Sequence, residues 1–192
     1  QDPATVLACD LLAPSPSEKV LDAFAAPGGK TAYLSQLMND QGVIVATDSL
    51  PERLQRLSEN TSRLGATNVR AQLMDWKSPE PGLPKFDKIL LDVPCSNTGV
   101  LRRRVDLRWR IKPTVFAEMS ALQLALCEQV LKQLKRGGQA VYSTCSIDRE
   151  ENEEVVERVL ESFPKLRLVR VVRSVPHKDA RDGAFAALLE SK

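Results

Sequence analysis

The sequence holds one histidine, His177, and its four cysteines, Cys9, Cys95, Cys127 and Cys145, form no Cys-x-x-Cys pair. Tetrahedral zinc sites draw on clustered thiolates and imidazoles, so this supply argues against one; no metal is expected, and His177 receives no role. Apolar runs long enough to cross a bilayer are absent and no signal peptide opens the chain, so a cytoplasmic protein with no membrane partner is expected. A chain of 192 residues buries a full core without disulfides, and the cysteines are read as free thiols, some of them catalytic. Nor is there an excess of one charge. The 27 Lys and Arg against 25 Asp and Glu leave +2, which permits a polyanionic partner without demanding one. Repeats, low-complexity tracts and linkers are missing, so residues 1–192 read as one domain, with a monomer as the default. A hydrophobic fraction of 43% and a charged fraction of 27% exclude wholesale disorder.

What is present is an alternation of elements. Apolar runs at 20–24, 43–48, 69–74, 86–93, 139–145, 166–172 and 184–189 read as strands. Helical spacing covers 31–38, 52–64 (Leu54, Leu57, Thr61 and Leu64 on one face), 114–135 and 148–163. The third of these carries Val115, Met119, Leu122, Leu126, Val130 and Leu134 on one face and closes on Lys135-Arg136-Gly137-Gly138. Segment 76–85, with Pro79, Pro81 and Pro84, reads as a loop, as does the basic segment 94–113. The alternation predicts a doubly wound α/β fold, a mostly parallel sheet with helices on both faces.

Ligands of such sheets bind outside the carboxyl ends of the strands, where the strand order reverses. Asp22, Asp48, Asp75 and Asp92 fall at or near the ends of the first four strands, together with Pro27-Gly28-Gly29, Cys95 and Cys145. One such aspartate is usually a turn or cap residue; four around a glycine turn point to a pocket. The turn has neither dinucleotide-fold nor P-loop spacing. A glycine pair before a helix suits a ligand carboxylate. Asp48 is placed to accept two ribose hydroxyls and Asp75 to hold an adenine amino group. Those pieces make up S-adenosylmethionine. Cys9 and Cys127 fit the role of small buried hydrophobes. For Cys95 and Cys145, at adjacent strand ends, chemistry leads: a thiolate adding to C6 of a pyrimidine makes C5 nucleophilic toward a methyl sulfonium.

Three motifs now stand in order: Ala25-Ala26-Pro27-Gly28-Gly29-Lys30-Thr31, Asp92-Val93-Pro94-Cys95-Ser96-Asn97-Thr98-Gly99 and Tyr142-Ser143-Thr144-Cys145-Ser146. With them the chain resembles, over nearly its whole length, the RsmB/Sun (Fmu) and NSUN family of S-adenosylmethionine-dependent RNA 5-methylcytosine methyltransferases. The resemblance implies a Rossmann-like class I methyltransferase fold with a seven-stranded sheet. It makes Cys145 the nucleophile and gives Cys95 a part in breaking the covalent adduct and releasing RNA. Asp92 and Lys30 would line the cytosine pocket. Phe24, Ala25, Ala26, Pro27, Gly28, Gly29, Lys30, Asp48, Asp75 and Asp92 would bind the cofactor, with Arg53 near cofactor or base unless it is a solvated helix cation. Phe24 stands where the family often has cysteine, and Asn97 where glycine is usual; asparagine tolerates the left-handed backbone that glycine permits.

The basic stretch Arg102, Arg103, Arg104, Arg108, Trp109, Arg110 and Lys112 is expected to grip RNA phosphates and stack on a base. The acidic run Asp148 to Glu154 reads as a helix start favouring negative charge. Ribosomal RNA of the 16S type leads as substrate and tRNA follows. DNA cytosine methylation, which would exchange the roles of Cys95 and Cys145, and an inactive RNA-binding module are the alternatives. Members generally carry an N-terminal RNA-binding region, so the chain reads as the catalytic piece of something larger.

Overall fold

The computed structural model describes residues 2–79 and 82–192, so Pro81 of the predicted proline-rich loop lies outside the described residues. The strands are β1 (Lys19–Asp22), β2 (Val43–Asp48), β3 (Val69–Leu73), β4 (Phe86–Asp92), β5 (Leu134–Thr144), β6 (Leu166–Ser174) and β7 (Ala184–Ser191). They form one seven-stranded sheet in the order β3-β2-β1-β4-β5-β7-β6. The first five strands run parallel, and β7 is antiparallel to both neighbours. The helices are α1 (Leu7–Leu12), α2 (Gly29–Leu37), α3 (Pro51–Arg63), α4 (Leu107–Arg110), α5 (Thr114–Val130), α6 (Glu153–Ser162) and α7 (Pro176–Asp179). None is long and apolar enough to cross a membrane.

Both faces of the sheet are covered, which is why β4 reads as an apolar run rather than an alternation. Leu90 of β4 and Val141 of β5 pack with Cys9 and Leu12 of α1 and Leu34 of α2. Their neighbours Ile89, Leu91 and Tyr142 point the other way, onto Leu126 and Val130 of α5 and Val155, Val156 and Val159 of α6. Edge strand β3 is mostly exposed, with Val69 packed against the cluster that holds Leu57 of α3. Because β3 is followed by a crossover to β4 on the far side of β1, strand order reverses between β1 and β4, and the crevice opens there.

Several elements depart from the sequence expectation. The helix predicted over 114–135 ends at Val130; Leu131–Gln133 is a 3-10 turn and Leu134 already pairs with Phe86 as β5 begins. Lys135-Arg136-Gly137-Gly138 is therefore no helix cap. It is an irregularity in β5 where the register against β4 slips, with Gly137 at φ +74°. The predicted helix over 148–163 is a 3-10 turn (Arg149–Glu151) followed by α6, broken at Asn152. Leu64 is 56% exposed because α3 stops before it. The basic loop contains a 3-10 turn (Thr98–Val100) and α4.

Candidate active site

The first motif is built around a turn that only glycine fits. β1 ends at Asp22, the Ala26–Pro27 peptide is cis, and Gly28 adopts φ +98°. A Cβ on Gly28 would lie 3.3 Å from the Leu57 carbonyl oxygen, so the left-handed backbone and the close approach of α3 both demand glycine. The chain enters α2 at Gly29, which puts Lys30 and Thr31 in the first turn. Thr31 Oγ1 donates to Asp22 Oδ2 at 2.7 Å and ties helix to strand. Asp22 is buried and does not line the crevice; burial, partly offset by the Thr31 hydroxyl, pushes its carboxyl up to about 7. Of the four strand-end aspartates it is thus the structural one.

The crevice measures about 680 Å³. Of the expected cofactor residues, Phe24, Ala26, Lys30, Asp48, Arg53, Asp75 and Asp92 line it, whereas Ala25, Pro27, Gly28 and Gly29 shape the turn behind it. Asp48 is buried at the end of β2. Its Oδ1 accepts from the Leu50 N–H at 3.2 Å, and its Oδ2 lies 3.4 Å from Arg53, which also donates to the Ala26 carbonyl at 3.1 Å. Arg53 therefore braces the turn while its side chain stays about half exposed, 48%. Asp75 sits two residues past β3 and accepts from the Lys77 N–H. Beside it Trp76 is buried, its Nε1 donating to Thr47 Oγ1 at 2.9 Å.

The second and third motifs meet across the β4–β5 pair, in which Asp92 is the partner of Ser143. Ser143 Oγ donates to Asp92 Oδ1 at 2.8 Å and Lys30 Nζ to Asp92 Oδ2 at 2.7 Å. Burial alone would lower the Lys30 ammonium, but the Asp92 carboxylate more than offsets it and holds the amine charged. Cys95 and Cys145 face each other with sulfurs 3.3 Å apart. The hydrogen bond between the two sulfurs lowers the Cys145 thiol below its ordinary value and, with burial, raises Cys95 well above its own. Cys9 and Cys127 are pushed up by burial and stay inert.

Asn97 takes the expected left-handed backbone, φ +64°. Its Nδ2 donates to the Cys95 carbonyl at 2.8 Å, and its Oδ1 accepts from Cys145 Sγ at 3.1 Å. Gly99 donates its N–H to the Cys145 carbonyl at 2.9 Å and accepts from Gly183 at 2.8 Å, so three loops converge on one backbone knot.

Two residues escaped sequence reasoning. Glu151, placed by its acidic run at a helix start favouring negative charge, is fully buried beneath the cysteine loops. It accepts from Ser96 N–H at 2.9 Å, Gln123 Nε2 at 2.8 Å and Ser146 Oγ at 2.9 Å. Gln123 also donates to the Pro94 carbonyl. No periodicity marks either residue; only the crossing of α5 over the β4 and β5 loops brings them together.

The basic stretch divides. Arg102 and Arg103 both pair with Asp2 and Asp182, clamping the N-terminal segment to the loop before β7. Arg103 and Arg104 line the crevice. Trp109 on α4 is 86% exposed between Arg108 and Arg110, and Lys112 follows. His177 is exposed on α7, away from the crevice.

A family profile described as 16S rRNA methyltransferase RsmB/F matches residues 9–190. The probable ribosomal RNA small subunit methyltransferase B of Bacillus subtilis is 34% identical over all of this chain and 47% of its own length. Ribosomal RNA small subunit methyltransferase B of Serratia proteamaculans is 38% identical over 98% of this chain and 46% of its own. The chain thus spans about half the length of these curated relatives. Among solved structures, NSun6 from Pyrococcus horikoshii with SFG superposes with a TM-score of 0.91 at 34% identity, over 100% of this chain and 52% of that one.

Proposed function

Since the chain belongs to the RsmB/F family of 16S rRNA methyltransferases, we propose that it is the catalytic part of an enzyme that methylates C5 of a cytosine in small-subunit ribosomal RNA, with S-adenosylmethionine as donor. The observation that carries this reading is the pair of thiols 3.3 Å apart at the ends of β4 and β5, opening on the crevice. The residues suit the cofactor. The crevice has the volume of a small-molecule site, and the buried Asp48 carboxylate keeps acceptor capacity beyond its bonds to Leu50 and Arg53. Asp75 and Phe24 line the same crevice. When bound, S-adenosylmethionine supplies an electrophilic methyl group.

The protein's own groups do the rest. Cys145 Sγ bonds to C6 of an unstacked cytosine, and the ring electron pair moves to C5, which takes the methyl. The C5 proton then passes to solvent water, its bonding pair restores the C5=C6 double bond, the S–C6 pair returns to the Cys145 sulfur, and Cys95, 3.3 Å away, assists the release. Asp92, held by Lys30 and Ser143, faces the base edge as acceptor for the exocyclic amine. Trp109 stacks on a base while Arg104, Arg108, Arg110 and Lys112 meet phosphates. Arg102 and Arg103, engaged with Asp2 and Asp182, hold the loop that presents them.

The test is methyl transfer to 16S ribosomal RNA fragments, read by bisulfite sequencing, with matched DNA as a second arm. Cys145→Ala should abolish transfer and RNA should be the substrate. Full activity in that variant overturns the nucleophile assignment, and preference for DNA overturns the substrate class.

A further inference from the structure

We propose that Asn97 is a latch on the nucleophile: its side-chain amide holds the resting Cys145 as a thiol, and that bond must open before the sulfur attacks. This rests on the assignment of Cys145 made above. The partners of the amide fix which way it points. Asn97 Nδ2 lies 2.8 Å from the Cys95 carbonyl oxygen, which only accepts, so the nitrogen belongs on that side. Oδ1 is then the atom that meets Cys145 Sγ at 3.1 Å. An amide oxygen donates nothing, so the sulfur is the donor and carries its hydrogen. A thiol has one hydrogen. With that of Cys145 committed to Asn97, the contact between the sulfurs at 3.3 Å is made by the hydrogen of Cys95.

The fold sets the distance between amide and sulfur. On the C-terminal side of Asn97, Thr98 Oγ1 accepts from the Ile147 N–H at 3.1 Å and the Gly99 N–H donates to the Cys145 carbonyl at 2.9 Å. The backbone that carries the amide is thus tied to the loop that carries the sulfur. Ionisation would leave a thiolate 3.1 Å from a carbonyl oxygen, two electron-rich atoms with no proton between them. Asn97 therefore favours the thiol and opposes the sulfur–sulfur bond, which favours the thiolate. The charged and titratable groups around the pair have other partners. Lys30 pairs with Asp92, Arg103 with Asp2 and Asp182, and beneath the loops Glu151 and Asp148 both accept from Ser146 Oγ. The Tyr142 hydroxyl bonds Gln123 at 3.1 Å, and Arg104 lines the crevice. None of these bonds involves Asn97, so a substitution there leaves them in place.

Glycine and aspartate both tolerate the φ of +64° at residue 97, so Asn97→Gly and Asn97→Asp change the side chain and keep the backbone. The readout is the rate of iodoacetamide labelling of Cys145 in the whole chain against pH, mapped by peptide mass spectrometry. Asn97→Gly removes the acceptor. Its midpoint should fall by about half a unit to one unit, which at pH 7 is about three- to tenfold faster labelling. Asn97→Asp sets a carboxylate beside the sulfur, and its midpoint should rise. A loop merely loosened by substitution would change the plateau rate at high pH and move both variants the same way. Any order of midpoints other than Gly below Asn below Asp overturns the latch. Should Asn97→Gly lose its cooperative thermal transition, the infrared S–H stretch decides on the native side chain. The band that disappears in Cys145→Ser should lie below that of a thiol without an acceptor, and a band at the unbonded position overturns the proposal. Labelling and spectrum need neither RNA nor cofactor, so their outcome is separate from methyl transfer by Cys145→Ala, which bears on the nucleophile assignment itself.

Discussion

Gly99→Ala is the most informative single change to the scaffold. A Cβ at residue 99 would lie 2.6 Å from the carbonyl oxygens of both Cys145 and Gly183. Those are backbone atoms on opposite loops, and they must retreat by about 0.8 Å to reach an ordinary 3.4 Å contact. The Gly99 N–H to Cys145 carbonyl bond stretches with them. Overpacking of this kind costs about 1–3 kcal/mol, which for a chain of this size lowers Tm by roughly 2–12 °C. Catalysis should suffer more. Displacing a reacting atom by about 1 Å costs on the order of 100-fold, so kcat should fall between about tenfold and 100-fold. S-adenosylmethionine affinity should hold within about twofold, because Asp48 and Asp75 are carried by other strand ends. Thermal denaturation, calorimetry with the cofactor and single-turnover methylation give the three numbers. Native kcat together with native Tm would refute the claim that the backbone knot positions Cys145.

Other perturbations act on separate parts of the molecule. Cys95→Ala removes the sulfur–sulfur hydrogen bond that lowers the Cys145 thiol, so the pH midpoint of Cys145 alkylation should rise, and a covalent RNA–protein adduct should accumulate on denaturing gels. Asp2→Asn should lower Tm at pH 7. Burial pushes the Asp2 carboxyl up, but the Ala4 and Asp182 N–H groups with Arg102 and Arg103 outweigh it and leave the folded-state pKa depressed. The carboxylate's contribution is therefore present above the unfolded value near 3.9 and is lost as pH falls through the folded one. Melting curves of native and variant protein should converge in acid. Trp109→Ala, at an exposed site, should change stability by less than about 0.5 kcal/mol but weaken RNA binding by about 1–3 kcal/mol, measured by fluorescence anisotropy.

Local chemistry made much of this molecule legible. The apolar runs of β2 and β4, the glycine turn before α2, and the strand-end positions of Asp48, Asp92, Cys95 and Cys145 all lie where the pattern placed them. Where reading failed, two structures shared one pattern. Leu126, Val130 and Leu134 keep helical spacing although the last is a strand residue, because its pairing with Phe86 is a contact between segments 48 residues apart. Likewise the run from Asp148 to Glu154 looks like a helix start favouring negative charge, and nothing local separates Glu151 from its neighbours.

The order of residues alone determined the layered α/β class, the turn that needs glycine and the presence of two candidate reactive thiols, since periodicity, backbone sterics and side-chain chemistry are local properties. Only tertiary structure decided that Asp22 is a strut, that Arg102 and Arg103 grip Asp2 and Asp182, and that a buried carboxylate underlies the cysteine pair. Those outcomes depend on distance and on exclusion of water, which exist only once the β4, β5 and β7 loops have been folded against one another.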